Sequence, residues 1–95
     1  MKDYKSASKD FSIAIELDQK YLGAYINRGS AYFELQDYKA AIEDYSKAIR
    51  LDSHNISVYH GRASAYYQLK EYRRHQRRQL KQSRQILGKV RHALP

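Results

Sequence analysis

The chain has 95 residues, 42% hydrophobic and 29% charged, with a net charge of +8. That suffices for one small domain, which buries roughly 60–65% of its unfolded surface, and it excludes a large enzyme with a deep pocket. No apolar stretch approaches 18 residues, no apolar run follows a basic N-terminus and there is no cysteine. Spanning, secreted and disulfide-stapled classes therefore lose support, and a soluble intracellular chain is expected, cytoplasmic with the nucleus as the alternative.

Ten tyrosines and a single proline at the very end supply aromatic packing without the punctuation that many short strands need, which favours helices. Taken in order, the chain pairs with itself at a shift of 34 residues. Asp3-Tyr4-Lys5 falls on Asp37-Tyr38-Lys39, Ala7 on Ala41, Asp10 on Asp44, Ser12 on Ser46, Ala14-Ile15 on Ala48-Ile49 and Leu17-Asp18 on Leu51-Asp52. The match continues with Tyr25 on Tyr59, Arg28 on Arg62, Ser30-Ala31-Tyr32 on Ser64-Ala65-Tyr66, Leu35 on Leu69 and Tyr38 on Tyr72. Beyond Tyr72 the register collapses. A fixed period of this length is the mark of a repeat architecture.

Each unit reads as two helices. Tyr25, Gly29 and Tyr32 are spaced four and three apart, as are Ala41, Tyr45 and Ala48, the stripe of an amphipathic helix. Asp37, and Asp3 one unit earlier, stand where an aspartate caps the free N–H groups of the second helix. The expected partial unit 1–21 thus holds a second helix, about Asp3 to Leu17. The full unit is 22–55, and the partial unit 56–72 holds a first helix, about Ile56 to Leu69. Tyr45 and Ala48 should be buried, while Lys39, Glu43 and Lys47 face water.

Tyr25, Gly29, Tyr32, Ala41, Tyr45 and Ala48 in a 34-residue helix-turn-helix unit resemble the tetratricopeptide repeat. The resemblance covers Met1 to about Tyr72 and implies an all-α helical-hairpin solenoid. Gln19 and Ser53 stand where the family usually has proline, Arg28 and Arg62 where leucine is common, and Gln36 where glycine is common. Where a further second helix should follow, His75, Gln79, Gln82 and Gln85 occupy positions that should be small or aromatic, so the repeat packing is expected to stop at Tyr72. Starting and ending in mid-unit reads as a fragment, an isoform or a frame-shifted product.

The resemblance also implies a concave groove lined by the first helices, where a protein or peptide partner binds. Ile26, Ser30 and Phe33, then His60, Ser64 and Tyr67, with Asn27 and Glu34 flanking, form its expected ridges. For Phe33 and Tyr67 the alternative is packing between helices, and for His60 a solvated side chain. A subset of the family clamps the C-terminal carboxylate of cytosolic chaperones. Asn27 fits that clamp, but Ser57 and Gly61 stand where its lysine and arginine should be, so chaperone-tail binding is not expected. The open ends of so short an array leave self-association as a further option.

No enzyme, cofactor or metal is indicated. His54, His60, His75 and His92 lack ligand spacing, no nucleophile sits with a base, and Gly23, Gly29, Gly61 and Gly88 are too scattered to cradle a phosphate. The charge is uneven. Up to Tyr72 acidic and basic residues balance, whereas Arg73, Arg74, Arg77, Arg78, Lys81, Arg84, Lys89 and Arg91 follow without an acid. The segment 73–95 reads as a basic amphipathic helix with Leu80, Ile86, Leu87, Val90 and Leu94 on its apolar side. It is expected to cap the open end of the solenoid. The alternatives are an anionic membrane or calmodulin-like partner, or nucleic-acid phosphates and nuclear import, with Arg73, Arg74, Arg77, Arg78, Lys81 and Arg84 as the contacts.

Overall fold

The computed structural model describes residues 3–93, which form four helices: α1 (Tyr4–Leu17), α2 (Leu22–Glu34), α3 (Tyr38–Leu51) and α4 (Ile56–Ala93). Among the described residues there is no strand. Neighbours in sequence pack side by side, α1 on α2, α2 on α3 and α3 on α4, giving the expected hairpin array.

The 34-residue period recurs as geometry. Asp3 Oδ1 accepts from the Ser6 backbone N–H at 3.0 Å and Asp37 Oδ1 from that of Ala40 at 3.2 Å, so both second helices start on the predicted cap. They also end alike. Asp18 and Asp52 leave the helix in extended conformation, donating their N–H groups to Ala14 and Ala48 at 2.9 Å. The turn that follows is held by the next first helix: the Tyr25 hydroxyl donates to the Gln19 carbonyl at 3.0 Å and the Tyr59 hydroxyl to the Ser53 carbonyl at 3.2 Å. A tyrosine thus restrains each turn where the family usually places proline.

The core lies between α2, α3 and the first third of α4. Tyr25, Ala41, Tyr45, Ala48, Val58 and Ala65 are buried together, with Ile15, Leu22, Ile26, Phe33 and Ile49 packed around them. Tyr45 and Ala48 are buried, and Lys39 and Glu43 exposed, as the register predicts. Lys47 is half-covered instead, because a lysine stem can lie along a helix flank while its amine stays wet.

Inside the complete unit the chain turns at Leu35–Asp37, where Gln36 takes a positive φ of 64° and Asp37 caps the next helix. The corresponding residues in the last unit are Lys70 and Glu71, and there the chain does not turn. Glutamate is not a capping residue of this kind, and Gln-Leu-Lys-Glu are good helix formers. The helix therefore runs on for 38 residues to Ala93. At 1.5 Å per residue that is about 57 Å, which sets the long axis of the 65 × 27 × 23 Å molecule.

The expected first-helix end at Leu69 is corrected accordingly: α4 carries on through Tyr72 without a break. A fold-back in repeat register would put Arg78 where α3 has Asp44, opposite Arg62, and Gln79 where α3 has Tyr45. Like charges and buried amides oppose that arrangement. Along the continuous helix Leu80, Ile86, Leu87 and Val90 are all more than half exposed. Leu94 lies outside the described residues.

Candidate functional site

Two surfaces carry the sequence-predicted residues. The first is the ridge on α2 and the beginning of α4. Asn27, Ser30 and Glu34 on α2 and His60, Ser64 and Tyr67 on α4 are exposed, while Ile26 and Phe33 are half-covered and pack against the core. The Phe33 ring stands edge-on to Tyr38 with centroids 5.3 Å apart, so this aromatic serves packing as well as surface. Ser57 is exposed, whereas Gly61 faces the Tyr45 ring; the missing clamp arginine is thus a position that helix packing keeps small.

Tyr45 links core and ridge. Its ring passes between Gly29 of α2 and Gly61 of α4, where an added β-carbon would stand 3.0 Å from ring atoms in either case. Its hydroxyl then emerges 3.0 Å from that of Ser30. Absence of side chains on two helices at one level is what lets a second-helix tyrosine reach the opposite face.

The residue that sequence reasoning missed is Arg28. Its Nε and Nη2 each donate to Asp44 at 2.7 Å, and its Nη1 donates to Ser12 at 3.0 Å, so one guanidinium ties α2 to both neighbours. It lies between Tyr25 and Tyr32, 5.9 and 5.7 Å from their ring centres. The hydrogen bonds it donates to the Asp44 carboxylate hold the guanidinium even more firmly in its charged form than usual. One unit later Arg62 repeats half of this, donating to Ser46 at 3.2 Å and lying 5.6 Å from the Tyr59 ring centre. The signal was present in the recurrence of Arg28, Ser12 and Asp44 as Arg62, Ser46 and Asp10.

The second surface is the basic stretch of α4. Arg73, Arg74, Arg77, Arg78, Lys81 and Arg84 are all exposed. At 100° per residue, the eight basic residues from Arg73 to Arg91 fall within about 160° of arc, and Leu80, Ile86, Leu87 and Val90 occupy about 120° on the other side. Arg73, Arg74 and Arg77 also line an open cleft of about 690 Å³ with Lys39, Ile42, Glu43, Tyr66, Leu69 and Lys70. Arg74 is partly neutralised by Glu71 at 3.3 Å. Among the described residues no group of three or more potential metal ligands comes together, and no helix is long and apolar enough to cross a membrane.

Hairpins that repeat their caps, turn staples and arginine contacts at a constant period define the class, an all-α helical-hairpin repeat array. Residues 29–70 match the family model described as TPR repeat. Repeats of this family are non-catalytic modules that mediate protein–protein interaction. No curated protein matches the chain.

Proposed function

We propose that the chain is a non-catalytic adaptor or scaffold element of the cytoplasm or nucleus that holds an extended or helical peptide against the α2–α4 ridge. The observation that carries this reading is the juxtaposition of exposed Asn27, Ser30 and Glu34 with exposed His60, Ser64 and Tyr67 on adjoining helices, fixed by the Tyr45 ring wedged between them. Packing sets the spacing, and the ridge offers a peptide polar side chains for hydrogen bonds and the Tyr67 ring for apolar contact. With two first helices the groove is short, so affinity should be about micromolar or weaker. A peptide-library selection on the chain, followed by binding to Phe33→Ala/Glu34→Lys, tests it. Loss of binding supports the ridge; unchanged binding places the site elsewhere.

A second reading rests on the two-sided character of α4 beyond Tyr72, which suits an anionic membrane surface or nucleic-acid phosphates. If roughly five of the basic residues contact duplex phosphates, log affinity falls with log salt at a slope near −4 to −5. Replacing Arg73, Arg77, Lys81 and Arg84 by Gln should remove most of that slope, leaving about −1, and leave peptide binding intact.

A further inference from the structure

The last unit presents an uncovered face that the complete unit shows how to fill. On α2 the side facing α3 is closed: Tyr25 is 7% exposed and Gly29 buried. On α4 the same positions are open, with Tyr59 40% exposed, Ala63 exposed and Ile56 73% exposed. A shallow depression lined by Ile56, Tyr59, His60 and Ala63 marks the vacant seat. Its arginine is incomplete as well. Arg28 holds a serine on one side and a carboxylate on the other; Arg62 holds Ser46 and makes no ion pair among the described residues.

The opposite end of the array has the complementary defect. α1 has the residues of α3 at the matching positions: Ala7, Asp10, Phe11 and Ala14 for Ala41, Asp44, Tyr45 and Ala48. In α3 these four are buried against α2 and α4, whereas in α1 Asp10 is exposed, Ala7, Phe11 and Ala14 are only half-covered, and Leu17 is 85% exposed. Asp10, the counterpart of the carboxylate on Arg28, makes no ion pair among the described residues. The chain's own tail cannot complete the arginine, since Arg78 stands where the carboxylate is needed.

We propose that α1 of a second copy docks on the uncovered face of α4 as α3 docks on α2, with Asp10 of one copy on Arg62 of the next, joining chains head to tail. Phe11 then takes the place of the Tyr45 ring. Ala63 carries the β-carbon that Gly29 lacks, so that ring sits a few tenths of an ångström further out. The ends differ from each other, so the contact is heterologous and does not close at two subunits. Each added copy sets its α2 beside the preceding α4 and lengthens the ridge proposed above, although the docking itself does not depend on peptide binding.

The test is sedimentation velocity of the chain from about 10 to about 500 μM, the range that a micromolar contact populates. The expected result is a mass that climbs in multiples of 11.2 kDa past the dimer. Asp10→Lys, at an exposed position of α1, and Ala63→Arg, at an exposed position of α4, should each weaken association at least tenfold with helical circular dichroism unchanged. Mixed together they should form a one-to-one complex that grows no further, because each variant retains the end the other lacks. A constant mass at the highest concentration, a closed dimer, or association unaffected by both variants would overturn the proposal.

Discussion

The Tyr45 ring lies against Gly61 so closely that a β-carbon on the glycine would stand 3.0 Å from the ring's Cζ. Gly29 limits the ring on its other side, so Tyr45 has no room to yield. Helix propensity alone would make Gly61→Ala stabilising by about 1 kcal/mol. Overpacking costs about 1–3 kcal/mol, and the second effect should win, lowering stability by about 1 kcal/mol. Gly88 has nothing within 4 Å, so Gly88→Ala should raise helicity and not reduce it. Tyr45→Ala should cost roughly 3–5 kcal/mol and abolish the cooperative melt. Thermal melts of the three variants separate these cases; a Tyr45→Ala protein melting like the parent would show the helix register to be wrong.

Arg28 and Arg62 look alike in sequence and differ in what they hold. The carboxylate of Asp44 is 7% exposed and receives two hydrogen bonds from Arg28. Asp44→Ala leaves a partly buried cation unpaired and should destabilise the array by about 3–5 kcal/mol. Arg62→Ala removes no ion pair and should cost about 1 kcal/mol or less in the isolated chain. Urea denaturation of both variants reads the difference, and equal losses would contradict the assignment of Arg28 as the tie between α1, α2 and α3.

The cap of α1 carries a pH dependence with a definite sign. Hydrogen bonds from the Ser6 backbone and hydroxyl hold the Asp3 carboxyl below its ordinary value of 3.8. A folded-state pKa below the unfolded one means that the capping contribution is complete above the unfolded value and fades as pH falls through the folded one. An NMR titration should therefore find the Ser6 amide shift turning below pH 3.8. A midpoint above that value would contradict the cap, and Asp3→Ala should remove the transition.

The periodic part of this architecture was readable in residues. Asp37 and Asp3 announced the helix starts, and the spacing of Ala41, Tyr45 and Ala48 announced the buried stripe, because each depends on local geometry that a period of 34 repeats. The continuation of α4 was harder to see. The change in charge at Arg73 looks like a domain boundary, yet charge on an exposed helix face does not end a helix. The informative differences were smaller: Lys70 in place of Gln36 and Glu71 in place of Asp37 remove the left-handed turn and the cap together. Arg28 was legible only as a recurring identity, since its partners Ser12 and Asp44 lie on two different helices and no local rule pairs them.

The open face of α4, and with it the vacant seat, requires that α4 run straight past Tyr72. The chain has no cysteine, so cysteines placed at Ser57 and Lys89, both exposed, give unique sites for a spin-label pair. A continuous helix separates their backbones by about 48 Å at 1.5 Å per residue. A segment folded back after Tyr72 to pack beside the first part of the helix would bring them within about 20 Å, given helix spacings of about 8–10 Å. The distance distribution should centre near the longer value, and a dominant population at the shorter one would contradict the architecture.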